Sequence, residues 1–85
     1  MTAVRLTIDS DDRRSRRVVE TISDLVPTAE VRDARYDADA ADFLDRLVCC
    51  GSVTPVLEVG GLLLTAPTPA EAVLAVRRAA PELVV

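Results

Sequence analysis

One stretch of this chain is the most informative about its fold: Gly51-Ser-Val-Thr-Pro-Val-Leu-Glu-Val-Gly-Gly-Leu-Leu-Leu-Thr65. Apolar residues on either side of a glycine pair predict two strands, Val53 to Val59 and Leu62 to Ala66. Gly60-Gly61 reaches positive φ without steric cost, as the tight turn of a β-hairpin requires. We therefore expect two neighbouring antiparallel strands, with Pro55 at the start of the first.

The residues before this stretch show alternating strand and helix signals. Val4, Leu6 and Ile8 alternate with polar residues, which predicts a first strand. A first helix follows from Arg13 and ends at Pro27. Charged residues between about positions 29 and 36 predict a second strand at a sheet edge, because charge there discourages pairing with other chains. A second helix follows positions 37–39, with its last turn before Gly51.

A third helix is predicted from the sequence Thr68-Pro69-Ala70-Glu71, in which Thr68 caps the helix and Glu71 closes a capping box. It extends to about Ala80, before Pro81. The element order is βαβαββα. A right-handed crossover makes the first two strands parallel, and the hairpin adds two antiparallel strands. We expect one α/β domain over residues 1–85, a three-layer sandwich with helices on both faces of a four-stranded mixed sheet.

Composition excludes several functional classes. A net charge of −4 repels phosphate backbones, and the two aromatic residues, Tyr36 and Phe43, are too few for base stacking, so no nucleic-acid partner is expected. No apolar stretch approaches the roughly twenty residues of a membrane-spanning helix. The start of the chain does not have the pattern of a secretory signal, so a cytoplasmic location is expected.

The element order, the segment from Val53 to Leu62 and the closing helix with its Thr-Pro-Ala-Glu start resemble the thioredoxin superfamily. The nearest likeness is to the short glutaredoxin-like branch called redox-active disulfide proteins. The resemblance covers nearly the whole chain, although only residues from about 51 to 80 are specific. It implies a cis peptide bond before Pro55. It also implies that the backbone of Thr54 faces a groove that binds a protein, a peptide-like ligand or a thiol such as glutathione.

The resemblance also identifies what this chain lacks. The family's catalytic Cys-x-x-Cys lies between the first strand and the first helix, where this sequence has Asp12-Arg13-Arg14-Ser15. Because neither Asp12 nor Ser15 can carry out disulfide chemistry, we interpret Asp12 as a helix cap and Ser15 as a first-turn residue. Together with Thr54 and Pro55 they form the expected ligand-binding set.

Two adjacent cysteines, Cys49 and Cys50, are the remaining candidates for catalysis and for metal binding. Asp42, Asp45 and the negative end of the second helix should raise their pKa, which makes them slow nucleophiles. We favour one core thiol and one incidental surface thiol. The alternative is a pair that binds a soft ion such as arsenite, or that switches as a strained disulfide. Since the chain has no His, a tetrahedral metal site would need a second chain.

A run of arginines, Arg13, Arg14, Arg16 and Arg17, opens the first helix. Positive charge at this position opposes the helix dipole and suggests an anionic or acidic partner. Because Asp9, Asp11 and Asp12 nearly cancel the charge, we favour a solvated face with salt bridges.

Three functions follow from these residues. The first is a thioredoxin-like domain without its dithiol, acting as a non-catalytic binding or protein-interaction module without a cofactor. The second is a thiol redox or soft-metal protein acting through Cys49 and Cys50. The third, and weakest, is a glutaredoxin-like oxidoreductase. The apolar hairpin further predicts helices on both sides of the sheet, or a homodimer seam over the last strand.

Overall fold

The structure, a computed structural model, describes residues 3–47 and 53–85. Within these ranges the chain forms four strands, three α-helices and a short 3-10 turn. Their bounds are β1 (Val4–Ile8), α1 (Arg13–Leu25), β2 (Glu30–Asp33), α2 (Ala38–Leu47), β3 (Val56–Val59), β4 (Leu62–Thr65), α3 (Pro69–Ala79) and the 3-10 turn (Pro81–Leu83). The expected order βαβαββα is confirmed for this part of the chain.

The four strands form one mixed sheet in the order β2-β1-β3-β4. β1 and β2 are parallel, with Leu6 opposite Val31. β1 pairs antiparallel with β3, and β3 pairs antiparallel with β4. The parallel crossover, the antiparallel hairpin and the edge position of β2 were all expected from the sequence and are confirmed.

One face of the sheet carries the main core. Leu6 lies opposite Leu57 in the register, so their side chains point to the same side, and both are fully buried. Helices α1 and α3 cover this face and pack against each other. They contribute Val18, Ile22 and Val76, which are also fully buried. Burying each such aliphatic side chain stabilises the fold by about 1.5 to 3 kcal/mol.

Helix α2 lies on the opposite face. Thr7 is one residue away from Leu6 in β1, so its side chain points to this second side, where it is fully buried. Thr7 Oγ1 accepts a hydrogen bond from Arg32 Nη2 over 3.1 Å. The Arg32 guanidinium also lies over the ring of Phe43 from α2, 5.2 Å from its centroid. Helices therefore lie on both faces of an α/β sheet, as the sequence predicted.

The bounds of three strands differ from the prediction, and β4, predicted to end at Ala66, ends at Thr65. β2 is predicted from Ala29 to Tyr36 but ends at Asp33, because the Asp33 carboxylate accepts the main-chain N–H of Arg35 over 3.0 Å and turns the chain. β3 is predicted from Val53 but begins at Val56. Pro55 has no N–H to contribute to a strand ladder, which explains the later start. The predicted role of Gly51 at the end of α2 lies outside the described residues.

The two local motifs are confirmed in detail. Gly60 and Gly61 have φ values of 51° and 82°, as the tight turn between β3 and β4 requires. At the start of α3, the Glu71 N–H donates to Thr68 Oγ1 over 3.2 Å, and the Thr68 N–H donates to Glu71 Oε1 over 2.9 Å. This reciprocal pair is the capping box, with Pro69 in the first helical turn.

In the part of the chain that the structure describes, none of the helices has the length and apolar character needed to cross a membrane.

Candidate functional site

Asp12 is the N-cap of α1. Its backbone is extended, with φ −84° and ψ 121°, and its Oδ1 accepts the main-chain N–H of Arg14 over 3.2 Å. Its own N–H donates to the carbonyl of Asp9 over 2.9 Å, which closes a turn after β1. The capping role predicted for Asp12 is therefore confirmed.

The second carboxylate oxygen of Asp12 joins two distant parts of the chain. Asp12 Oδ2 accepts hydrogen bonds from Ser15 Oγ over 3.1 Å and from Thr54 Oγ1 over 3.3 Å. Ser15 is fully buried and Thr54 is 9% exposed, while Asp12 is half-buried. We call these three residues the Asp12 cluster. The structure thus brings together three of the four residues that the sequence assigned to ligand binding.

Pro55, the fourth of these residues, directly follows Thr54 and is buried. The Thr54–Pro55 peptide bond is cis, as the resemblance implied. All four predicted ligand-binding residues therefore lie at one corner of the sheet, between the start of α1 and the start of β3.

Arg14 forms a contact that the sequence did not reveal. Its Nη1 donates to the carbonyl of Ala66 over 3.0 Å. Ala66 has a φ of 49°, and its N–H lies within hydrogen-bonding distance of two carbonyls, those of Val53 at 3.0 Å and Pro55 at 2.8 Å. The first turn of α1 is thus connected to the end of β4 and to the residues on either side of Thr54. No local sequence signal marks a guanidinium that reaches a carbonyl 52 positions away.

Arg35 and Asp33 hold the loop between β1 and α1. Arg35 forms ion pairs with Asp9 and Asp11. Asp33 Oδ1 accepts the main-chain N–H of Ser10 over 3.3 Å. Burial by itself would raise the pKa of Asp33, but the hydrogen bonds from Ser10 and Arg35 outweigh it and hold the pKa below its ordinary value. Residues in β2 and just after it therefore hold this loop in place. A local sequence pattern does not predict these contacts, because the partners are more than twenty positions apart.

This arrangement corrects the expected role of the arginine run. The sequence predicted that Asp9, Asp11 and Asp12 would balance it, but Asp9 and Asp11 pair with Arg35, and Asp12 accepts from an amide and two hydroxyls. Within residues 3–47 and 53–85, no carboxylate lies within ion-pair distance of the four arginines Arg13, Arg14, Arg16 and Arg17. All four side chains are exposed. The predicted salt-bridged face is therefore wrong for the described residues, and the rim of the corner is locally positive.

The candidate catalytic and metal-binding pair, Cys49 and Cys50, lies outside the described residues. Among the described residues, no group of three or more Cys, Asp or Glu side chains is arranged to hold a metal ion. The predictions for the two cysteines therefore stay predictions.

The chemistry of the corner follows from its functional groups. The Asp12 carboxylate accepts hydrogen bonds from two hydroxyl groups, which hold it in one orientation. None of the three side chains of the Asp12 cluster can form a disulfide. Exposed guanidinium groups beside it offer donors to carboxylates or phosphates. Comparisons with models of protein families, with curated protein sequences and with solved structures found no match to this chain.

Proposed function

We propose that this chain is a thioredoxin-like domain without its catalytic dithiol, acting as a non-catalytic module that binds a segment of a partner protein. The observation that carries the proposal is the sharing of Asp12 Oδ2 by the hydroxyls of Ser15 and Thr54. In the resemblance, Asp12 and Ser15 correspond to the two sulfurs, and Thr54 corresponds to the residue whose backbone faces a bound ligand. The order β2-β1-β3-β4 of the mixed sheet is compatible with that layout.

The proposal of a non-catalytic role rests on the groups at this corner. Thiol–disulfide exchange begins with the attack of a thiolate on a sulfur. Asp12 and Ser15 stand where the family has its attacking and resolving cysteines, and neither can form the mixed disulfide. The Asp12 carboxylate instead accepts hydrogen bonds from Ser15 and Thr54, which hold the start of α1 beside the residues that precede β3.

The charge of the rim indicates the class of partner. Although the chain has a net charge of −4, the start of α1 exposes Arg13, Arg14, Arg16 and Arg17, and no carboxylate of the described residues lies within ion-pair distance of them. Arg14 acts on the Glu71 carboxylate only over a longer distance. The N-terminal end of a helix adds partial positive charge. We therefore expect an extended acidic segment that contacts the arginine rim and the groove that the resemblance implies beside Thr54 and Pro55. Because the arginines are exposed, binding should weaken as salt is added.

Peptide binding can be tested directly. Peptides selected from a random displayed library on the full chain would be labelled and titrated by fluorescence anisotropy. We expect acidic peptides whose affinity falls at least about tenfold in Arg13→Glu. Arg77→Glu makes the same change of charge on an exposed position of α3 and is the matched control. Failure to select any peptide, or equal losses in the two variants, would contradict the proposal.

Amide chemical shifts locate the binding site. Titration of the selected peptide should shift the amide signals of Arg14, Ser15 and Thr54 more than those of Gly60 and Gly61, in the turn at the opposite end of β3. The alternative function, through Cys49 and Cys50, has a different signature. Arsenite or zinc would then bind stoichiometrically, and Cys49→Ser or Cys50→Ser would abolish that binding while leaving peptide binding intact.

A further inference from the structure

An exposed apolar patch lies at the outer edge of the sheet, away from the Asp12 cluster. Leu62 and Leu63 of β4 are 49% and 46% exposed, and Leu74 of α3 is 53% exposed. Leu62 and Leu74 line a groove of about 320 Å³ between β4 and α3, with Glu71 and Arg78 along its helical side. Leu63 lies opposite Glu58, so its side chain points to the other face of the sheet and leaves both faces of β4 apolar at this edge. We call this surface the β4 edge. Contiguous exposed apolar surface of this kind marks an interaction site more often than scattered single residues do.

The backbone of β4 is also open on this side. Within residues 3–47 and 53–85, β4 pairs only with β3. A two-residue turn closes on a hydrogen-bonded pair, here Val59 and Leu62. Because such pairs alternate along an antiparallel ladder, the N–H and C=O groups of Leu63 and Thr65 point outward. An edge of this kind is a template for another strand.

The two edges of the sheet differ in this respect. β2, at the other edge, carries Glu30, Arg32 and Asp33 in its four residues. Charged side chains on an edge strand discourage pairing. β4 has the sequence Leu-Leu-Leu-Thr and no charge. Of the two sheet edges in the described residues, β4 is therefore the one that combines open backbone groups with uncharged, mostly apolar side chains.

The side chains of helix α3 indicate what kind of partner binds the β4 edge. Glu71, Leu74 and Arg78 follow one another at spacings of three and four residues, so they lie on one stripe of the helix. The stripe has an acidic residue at one end, an apolar residue in the middle and a basic residue at the other end. When two copies of this stripe are placed antiparallel, each Glu71 faces an Arg78 and the two Leu74 side chains meet. The surface is therefore complementary to itself.

We propose that the β4 edge pairs with the β4 edge of a second copy of this chain. The two strands run antiparallel about a two-fold axis perpendicular to the sheet, which continues the sheet to eight strands. In this arrangement the side chains stay on matching faces only if one residue lies opposite its own copy. The axis therefore runs midway between the two copies of Leu63 or between the two copies of Leu64. The same axis places the two α3 helices side by side and antiparallel on one face.

Molecular mass in solution tests this proposal. Light scattering or sedimentation of the full chain, from about 10 µM to 1 mM, should give twice the 9.1 kDa of one chain at the upper concentrations. Leu74→Lys and Leu63→Lys should each weaken dimerisation at least about tenfold. Both residues are exposed, so each variant should keep the wild-type circular dichroism spectrum. Arg78→Glu should also weaken it and leaves the capping box intact.

The opposite edge supplies the matched control. Val31 of β2 is 39% exposed, and Val31→Lys adds the same charge there. This variant should dimerise as the wild type does. A wild-type chain that stays monomeric at every concentration would overturn the proposal. The proposal would also fail if Leu74→Lys and Leu63→Lys weakened dimerisation no more than Val31→Lys does. None of these changes touches the Asp12 cluster, so this proposal can fail while peptide binding is retained.

Discussion

Thr54 Oγ1 donates a hydrogen bond to Asp12 Oδ2 over 3.3 Å and so connects the start of β3 with the cap of α1, 42 positions earlier. Ser15 donates to the same oxygen. One carboxylate therefore caps a helix with Oδ1 and satisfies two hydroxyls with Oδ2. A group that stabilises the fold in this way also gives the corner its fixed shape.

Asp12→Ala should lower the free energy of unfolding by about 2 to 4 kcal/mol, as measured by urea unfolding. Loss of an N-cap costs about 1 kcal/mol. Removing the acceptor of the buried Ser15 hydroxyl costs about 1 to 3 kcal/mol more. Asp12→Asn retains acceptor oxygen and should cost less. The control is Asp24→Ala, at an exposed carboxylate of the same helix, which should change stability by about 0.5 kcal/mol or less. Equal effects from Asp12→Ala and Asp24→Ala would show that the cluster is not formed.

Asp12→Cys combined with Ser15→Cys should give this corner disulfide chemistry. The side chains of Asp12 and Ser15 already meet at 3.1 Å, in the first turn of a helix whose N-terminal end favours a thiolate. The variant is made with Cys49→Ser and Cys50→Ser, so that any exchange comes from the new pair. We expect it to reduce insulin disulfides, whereas either new cysteine alone should not complete turnover. An inactive double variant with a wild-type circular dichroism spectrum would argue against a thioredoxin-like corner.

Gly61→Ala should destabilise the protein by about 1 kcal/mol in thermal or urea unfolding. A Cβ built at Gly61 meets no atom within 4 Å, so the cost comes from its backbone, which is held at φ 82°. Gly60, at φ 51°, lies in the region that Asn tolerates, and Gly60→Asn should change stability by about 0.5 kcal/mol or less. If Gly60→Asn proved the more damaging change, the assigned turn would be wrong.

The capping box of α3 should make stability depend on pH. The Thr68 N–H and side chain hydrogen-bond the Glu71 carboxylate and hold its pKa below the ordinary value of 4.5. A carboxyl group whose pKa is lower in the folded state stabilises the protein above the unfolded-state pKa. That contribution is lost as the pH falls through the folded-state pKa. The melting temperature of the wild type should therefore exceed that of Glu71→Gln at pH 7, and the gap should narrow at about pH 3. A gap that stays constant would contradict this assignment.

The parts of the fold that were predictable from sequence depend on local chemistry. Gly60-Gly61 specifies the hairpin turn, and the Thr68 and Glu71 side chains specify the start of α3, because each motif is complete within four residues. The parallel arrangement of β1 and β2 follows from the helix between them. The ends of β2 and β3 were missed because side-chain hydrogen bonds and a proline without an N–H set them.

The site was predictable as a set of residues but not as a geometry. The resemblance placed Asp12, Ser15, Thr54 and Pro55 together, and the structure brings them to one corner. That Asp12 is the shared acceptor depends on how β3 packs beside the start of α1, which no local pattern encodes. For the same reason, the sequence did not predict the contact of Arg14 with Ala66 or the pairing of Arg35 with Asp9 and Asp11.

Disulfide turnover by the reduced chain tests the central claim most directly. The wild type, Cys49→Ser and Cys50→Ser would be assayed with insulin disulfides and with a glutathione mixed disulfide as substrates. We predict that all three proteins give the rate of the reductant alone, because Asp12 and Ser15 occupy the corner that would hold the reacting sulfurs. If the wild type turned over either disulfide substrate and Cys49→Ser or Cys50→Ser abolished that turnover, the result would contradict a non-catalytic role.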